Sequence, residues 1–207
     1  NAAGGFGMTD NIVKKLHAYG VDVITSGNHV WNRADFVLRL DQHPRVLRPF
    51  NYPEGAPGKG SVVVEDRAGR QVGVLNLQGR TFMSDIDCPF QRGRAEVENL
   101  RQETSIIFVD FHAEATAEKI ALGLHLDGLA SAVIGTHTHV QTADERILPR
   151  GTAFLTDAGM TGVRDSVIGT RSSIAVGRFI DQLPARFKPA DGVPHLNGAV
   201  VDIDDTT

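Results

Sequence analysis

Two histidines one residue apart follow a short apolar run near the middle of the chain. Residues 132–135 are apolar or small and predict a buried strand, and His137 and His139 come just after it. In an extended segment residues i and i+2 point to the same side, roughly 6.5 Å apart along the chain. Two imidazoles at that spacing can reach one metal ion, or one each of two ions about 3.5–4 Å apart. Such a pair can also be purely structural, so its neighbours must decide.

Further histidines follow predicted strands in the same way. Residues 21–25 read as a short strand that leads to Asn28 and His29, and the apolar run 105–111 leads to His112. Because ligands gather at the carboxyl ends of strands in open α/β sheets, we expect these strand ends to converge. Imidazole nitrogens with an amide oxygen suit zinc, iron or manganese better than calcium or magnesium. The sequence predicts that five such side chains line one cleft: Asn28, His29, His112, His137 and His139.

The elements that position these residues alternate between helix and strand, which predicts an α/β fold. Helices are expected near residues 10–19, 33–40, 93–102, 114–126 and 173–182. Strands are expected at 21–25, 105–111, 129–136 and 152–156, with a hairpin at 61–66 and 71–77 and two final strands, the last at 200–204. The Pro- and Gly-rich passage 44–60 is predicted to be irregular.

Composition limits the classes of protein that the chain can belong to. With 207 residues, 41% of them hydrophobic, residues 1–207 can form a single domain. The net charge of −4 has no basic stripe, so we expect no polymeric nucleic acid as a partner, with RNA ends as the one exception. No apolar run reaches the roughly 18–20 residues of a membrane span. We therefore expect a soluble, cytoplasmic protein without a membrane partner. The sequence leaves open whether it forms a homo-oligomer.

The motifs around these residues resemble those of a known family. Residues 27–29, 111–116 and 135–139 resemble, in order and spacing, the motifs of the calcineurin-like metallophosphoesterases. Residues 1–4, 76–82 and 156–162 resemble the YmdB-type branch of that family. The resemblance implies a four-layer α/β/β/α sandwich and two divalent transition metals, iron or manganese, with zinc as a further option. It also implies hydrolysis of phosphodiesters, with 2',3'-cyclic nucleotides as the small-molecule substrates of this branch.

The same resemblance implies a role for each site residue. Asn28, His112 and His137 would ligate one metal, and His139 would ligate the other. His29 would stand beside the phosphate as the general acid that protonates the departing ribose oxygen, help worth roughly 10²–10⁴-fold. Asn1 falls where the family places an asparagine directly after its bridging glutamate, and Arg80 could clamp a phosphate; both are candidate substrate-binding residues.

The chain also departs from the family pattern. The family's first strand, with its aspartate ligand and bridging glutamate, would lie upstream of Asn1, so we interpret the chain as N-terminally incomplete. Without a bridging carboxylate, we expect this stretch alone to bind at most one metal tightly and to hydrolyse phosphodiesters poorly. Many relatives carry an acidic residue after the Asn-His pair, where this chain has Val30. The group that orients His29 is therefore open.

Two other functions compete with the phosphodiesterase hypothesis. A metal-dependent amidohydrolase also carries an H-x-H pair after a strand. However, that fold places the pair on its first barrel strand and normally uses a lysine and a later aspartate, which are not suitably placed here. The second alternative is a catalytically impaired module that binds metal or nucleotide for regulation. Metal content separates these hypotheses, since two transition metals per chain favour the esterase.

Overall fold

The computed structural model of the protein describes residues 2–204, which contain ten strands and five α-helices. The strands are β1 (Ile24–Thr25), β2 (Val46–Leu47), β3 (Ser61–Glu65), β4 (Gln71–Gln78), β5 (Ile106–His112), β6 (Ala132–Thr136), β7 (Arg146–Ile147), β8 (Ala153–Leu155), β9 (Gly162–Val163) and β10 (Pro194–His195). The helices are α1 (Asp10–Ala18), α2 (Ala34–Val37), α3 (Pro89–Leu100), α4 (Thr116–His125) and α5 (Ser172–Asp181).

A six-stranded mixed sheet in the order β3-β4-β5-β6-β8-β7 forms the centre of the fold. β4, β5, β6 and β8 run parallel, and the edge strands β3 and β7 pair with them in the antiparallel sense. Gln78 pairs with His112, and His112 pairs with Thr136. This register brings the carboxyl ends of three neighbouring strands to one edge of the sheet.

One face of the sheet is covered by α3 and α4. Alternate residues of β4 and β5 point to this face, as expected for strands with side-chain period two. They pack against the apolar faces of the two helices in one continuous core. Its fully buried members include Leu75, Leu77, Val97, Ile107, Val109, Phe111, Leu122 and Leu126.

The other face carries polar residues that bind a second, smaller β layer. The Asn76 amide donates to the carbonyls of Ser26, at 2.8 Å, and Leu47, at 3.1 Å, which follow or belong to the parallel pair β1-β2. That pair packs in turn against α1 and α2 through a separate apolar core: Val13, Ile24, Val30, Phe36, Leu40 and Val46. The layers therefore follow the order α/β/β/α, and the predicted fold class is confirmed.

Several predicted elements are wrong in position or extent. The passage 44–60 contains β2, because Val46 and Leu47 are buried by pairing with β1, a contact distant in sequence. The helix predicted from 93 begins at Pro89, since proline suits the first turn, where its missing N–H is not needed. Residues 200–204 form no strand, and the terminal strand is instead β10, paired with β9. Within residues 2–204 no helix is both long and apolar enough to cross a membrane.

Candidate active site

Three electron-pair donors from three elements meet at the carboxyl edge of the sheet. The Asn28 side chain follows β1, His112 ends β5, and His137 follows β6. Nε2 of His112 lies 3.0 Å from Oδ1 of Asn28 and 3.0 Å from Nδ1 of His137. The two imidazole rings meet edge to face, with their centroids 4.7 Å apart. Tertiary structure thus unites residues that are 84 and 25 positions apart in the chain.

Hydrogen bonding on the far side of His112 decides where that ring carries its proton. The Thr136 hydroxyl donates to Oδ1 of Asp110 at 2.8 Å, because an ionised carboxylate can only accept. The hydroxyl oxygen, 3.1 Å from Nδ1 of His112, is then left to accept the Nδ1–H of the ring. Burial lowers the pKa of His112 well below its ordinary value, so the ring is neutral and has one proton. Nε2 therefore presents a lone pair to Asn28.

Asp110 is ionised at neutral pH even though it is buried. Burial raises the pKa of its carboxyl to about 6, while hydrogen bonds from Thr25 and Thr136 oppose that rise. Asp110 lies on the same face of β5 as His112, two residues away. Its link to His112 through Thr136 is a tertiary contact that the spacing along the strand does not show.

His137 is oriented in the same way by a carboxylate behind its ring. Nε2 of His137 lies 2.9 Å from Oε2 of Glu114 and donates its proton there, which leaves a lone pair on Nδ1. Burial lowers the pKa of His137, and the negative charge of Glu114 partly opposes this shift. The expectation that Glu114 opens the next helix is wrong, since α4 begins at Thr116. Its position beside His137 is a tertiary contact that sequence spacing could not show.

The donor set fits a transition-metal ion. Three lone pairs face one another with no proton between them, an arrangement that repels itself unless a cation lies among them. Ligands about 2.1 Å from an ion and at right angles to each other are about 3.0 Å apart, the separation found around Nε2 of His112. In the described part of the chain no three His, Cys, Asp or Glu side chains could hold an ion by themselves. A metal ion at this position would therefore need the amide oxygen of Asn28 as its third donor.

The segment that carries His137 and His139 does not have the extended conformation that the sequence predicts. β6 ends at Thr136, and His137 and His139 have φ angles of 106° and 66°, so the segment is not extended and the i, i+2 argument is wrong. Nδ1–H of His139 donates to the carbonyl of Ile168 at 2.9 Å, which leaves a lone pair on Nε2. Imidazoles that bind metals commonly donate their other N–H to a carbonyl in this way.

His29 lies next to Asn28, and its hydrogen-bond partner lies outside the donor set. Its Nδ1–H donates to Oδ1 of Asn32 at 3.3 Å, and its ring meets the edge of Phe6 with centroids 6.0 Å apart. With Val30 in place of an acidic residue, another group must orient His29. Asn32, three residues after His29, makes that hydrogen bond. Residue 30 itself belongs to the outer apolar core.

Of the two candidate substrate-binding residues, Arg80 lies within the described part of the chain. Arg80 is exposed, and its backbone N–H donates to Oε1 of Glu118 at 2.9 Å. It lines an open cavity of about 630 Å³ together with Phe90 and Ala115, one residue beyond Glu114. Asn1 lies outside the described residues.

Comparisons with known proteins agree with the geometry. The chain matches the YmdB-like protein family over residues 1–207. It is 50% identical, over all its length and 78% of the relative, to a 2',3'-cyclic-nucleotide 2'-phosphodiesterase of Bacillus subtilis. It is 34% identical, over 98% of its length and 74% of the relative, to a putative phosphatase/phosphodiesterase of Mycoplasma genitalium.

Solved structures share the fold. A hypothetical protein from Thermus thermophilus superposes with a TM-score of 0.88 and 41% identity, over 94% of this chain and 75% of the other. A novel phosphatase from Mycoplasma pneumoniae superposes with a TM-score of 0.82 and 31% identity, over 90% and 68% of the two chains.

Proposed function

The chain belongs to the YmdB-like family and is a hydrolase of the phosphoesterase type, and from this premise we propose that it is a metal-dependent phosphodiesterase acting on 2',3'-cyclic nucleotides. The observation that carries the proposal is the meeting of three lone pairs at Nε2 of His112. The substrate class comes from the Bacillus relative, a 2',3'-cyclic-nucleotide 2'-phosphodiesterase. A cytoplasmic location and a homo-oligomer stay predictions.

Two divalent transition metals, iron or manganese with zinc as a further option, fit this proposal. Asn28, His112 and His137 would hold one ion, and Nε2 of His139 would contribute to the other. Such ions supply positive charge for the phosphate oxygens and a hydroxide at neutral pH. Because Thr136 and Glu114 fix the protons of His112 and His137 on the far sides of the rings, both donors are preorganised for the ion.

The remaining steps fall to residues around the metal ligands. In its imidazolium form His29 carries protons on both nitrogens: Nδ1–H donates to Asn32, and the proton on Nε2 would pass to the ribose oxygen as its bond to phosphorus breaks, leaving a neutral ring with its proton on Nδ1. Arg80, at the cavity beyond Glu114, would bind a phosphate oxygen or hold the nucleotide. Asn1 is retained as a substrate-binding candidate from the family resemblance alone.

The test is turnover of 2',3'-cyclic AMP by protein supplied with Mn²⁺, with products separated by chromatography. We expect 3'-AMP, formed slowly by residues 1–207 alone, loss of this turnover on chelation, and recovery when Mn²⁺ is restored. His112→Ala should abolish turnover. His17→Ala is the control, because His17 lies on α1 and only donates to the carbonyl of Val21. Full turnover by the His112 variant, or turnover that survives chelation, would refute the proposal.

A further inference from the structure

A fully buried ion pair lies directly behind the segment that carries His137 and His139. Nζ of Lys119, from α4, is 2.6 Å from Oδ2 of Asp157, which follows β8, and both side chains are 1% exposed. The aliphatic stem of the lysine runs close to Gly135, where an added Cβ would lie 3.1 Å from Cδ of Lys119. Among the described residues, the hydrogen bonds of the two charged groups go to each other and to backbone N–H groups rather than to the three donor atoms.

Asp157 also binds the backbone between the two histidines. Its Oδ2 accepts the N–H of Thr138 at 3.0 Å, and its Oδ1 accepts the N–H of Gly159 at 2.9 Å. Thr138 is the residue between His137 and His139. One carboxylate thus joins α4, the histidine segment and the loop after β8.

The backbone of this segment needs such an external restraint. His137 and His139 both have φ in the left-handed region, at 106° and 66°, which residues with a Cβ adopt at a cost. Strained conformations of this kind persist only where the surrounding structure determines them. Asp157 supplies a buried hydrogen bond to the residue between the two strained positions, and Lys119 supplies the opposite charge without which a buried carboxylate would be costly.

We propose that Lys119 and Asp157 form a latch that positions the histidine segment for metal binding. The latch holds Thr138, so that the chain turns sharply after β6 and His137 points back to His112. Lys119 and Asp157 are positioning residues, since neither contacts the reacting atoms. The inference rests on the proposed function in taking His137 as a metal ligand, but its test needs no catalytic turnover.

Asp157→Asn tests the latch because an amide has only one oxygen for two backbone N–H groups and a lysine. We expect the variant to bind Mn²⁺ about 10–100-fold more weakly, the range for loss of a group that orients a ligand. In the metal-free protein, the Thr138 amide should exchange its hydrogen at least about tenfold faster, because its buried acceptor is lost. Titration calorimetry and amide exchange by NMR give these two readouts.

Asp127→Asn is the matched control. Asp127 is also buried and accepts two backbone N–H groups, from Arg150 at 2.9 Å and Thr152 at 3.3 Å, but it lies before β6, at the opposite end of the sheet. We expect this variant to lose stability comparably while Mn²⁺ affinity and Thr138 exchange stay unchanged. Equal Mn²⁺ affinity in the Asp157 variant and the wild type would overturn the latch and leave a purely structural ion pair.

Three further cases are decided by the same measurements. If Asp157→Asn does not fold, the double variant Lys119→Met/Asp157→Asn removes both charges, and weak Mn²⁺ binding with fast Thr138 exchange in a folded double variant supports the latch. Wild-type affinity in that variant overturns it.

If the wild type binds Mn²⁺ but hydrolyses no cyclic nucleotide, the proposed function fails while the latch stands. If the wild type binds no Mn²⁺, unchanged Thr138 exchange in Asp157→Asn overturns the latch, and faster exchange supports it.

Discussion

A Cβ added to Gly27 would lie 2.1 Å from Nε2 of His112, well inside van der Waals contact. The backbone at Gly27 is not in the left-handed region, so the restriction is steric rather than conformational. The loop after β1 therefore approaches the imidazole face as closely as a residue without a side chain allows. This approach brings Asn28, the next residue, to the same nitrogen.

Gly27→Ala should displace the His112 ring and separate the donor set. We expect Mn²⁺ affinity to fall by about 100-fold or more, since a ligand moves and not merely its support. Gly55→Ala is the control, because nothing lies within 4 Å of a Cβ there and its φ is not left-handed. Titration calorimetry gives the Mn²⁺ affinity of both variants. Unchanged affinity in Gly27→Ala would mean that His112 is not held as described.

Thr136→Val should weaken metal binding while the sheet stays intact. Valine has the shape of threonine but no oxygen, so the Nδ1–H of His112 loses its acceptor and the proton can move to Nε2. We expect a loss of Mn²⁺ affinity of about 10–100-fold, whereas Thr136→Ser, which keeps the hydroxyl, should retain most of it. Nitrogen NMR of the His112 ring reports the tautomer directly. The same tautomer in both variants would contradict the role given to the hydrogen bonds that link Asp110, Thr136 and His112.

His29→Ala should preserve metal content and reduce kcat. The expected loss is roughly 10²–10⁴-fold, the usual worth of a general acid. KM should change little, because the proton is transferred only in the transition state. Metal analysis of the purified variant is the control, and loss of metal would show that His29 is a ligand instead.

Asp10→Asn should reduce stability near neutral pH and have no effect in strong acid. The hydrogen bond from His43, at 2.9 Å, holds the pKa of Asp10 below its ordinary value, against the opposing effect of desolvation. A lowered folded-state pKa stabilises the fold above the unfolded pKa of 3.8, and this contribution is lost as the pH falls through the folded value. Urea unfolding of both proteins from about pH 7 down to about pH 3 should therefore give converging curves. Exposed Asp22→Asn is the control.

The sequence was enough to predict that Asn28, His112 and His137 lie together and to identify the family. Apolar runs before Asn28, His112 and His137 predict buried strands, and the parallel neighbours β5 and β6 carry His112 and His137 to one edge of the six-stranded sheet, whereas Asn28 follows β1 of the separate pair β1-β2. The β-hairpin and the helix after Thr9 follow from local pattern and capping, so they were also predictable. Such features depend on neighbours a few residues apart, which the chain states directly.

The protonation and the support of these residues depend on tertiary contacts. Glu114 reaches His137, Thr136 links Asp110 to His112, and the buried carboxylate of Asp157, which binds Thr138, comes from the loop after β8. The short strand β2 and the left-handed turn at His137 likewise depend on distant partners. Contacts of this kind outweigh local preference because buried polar groups must find partners wherever the packed core places them.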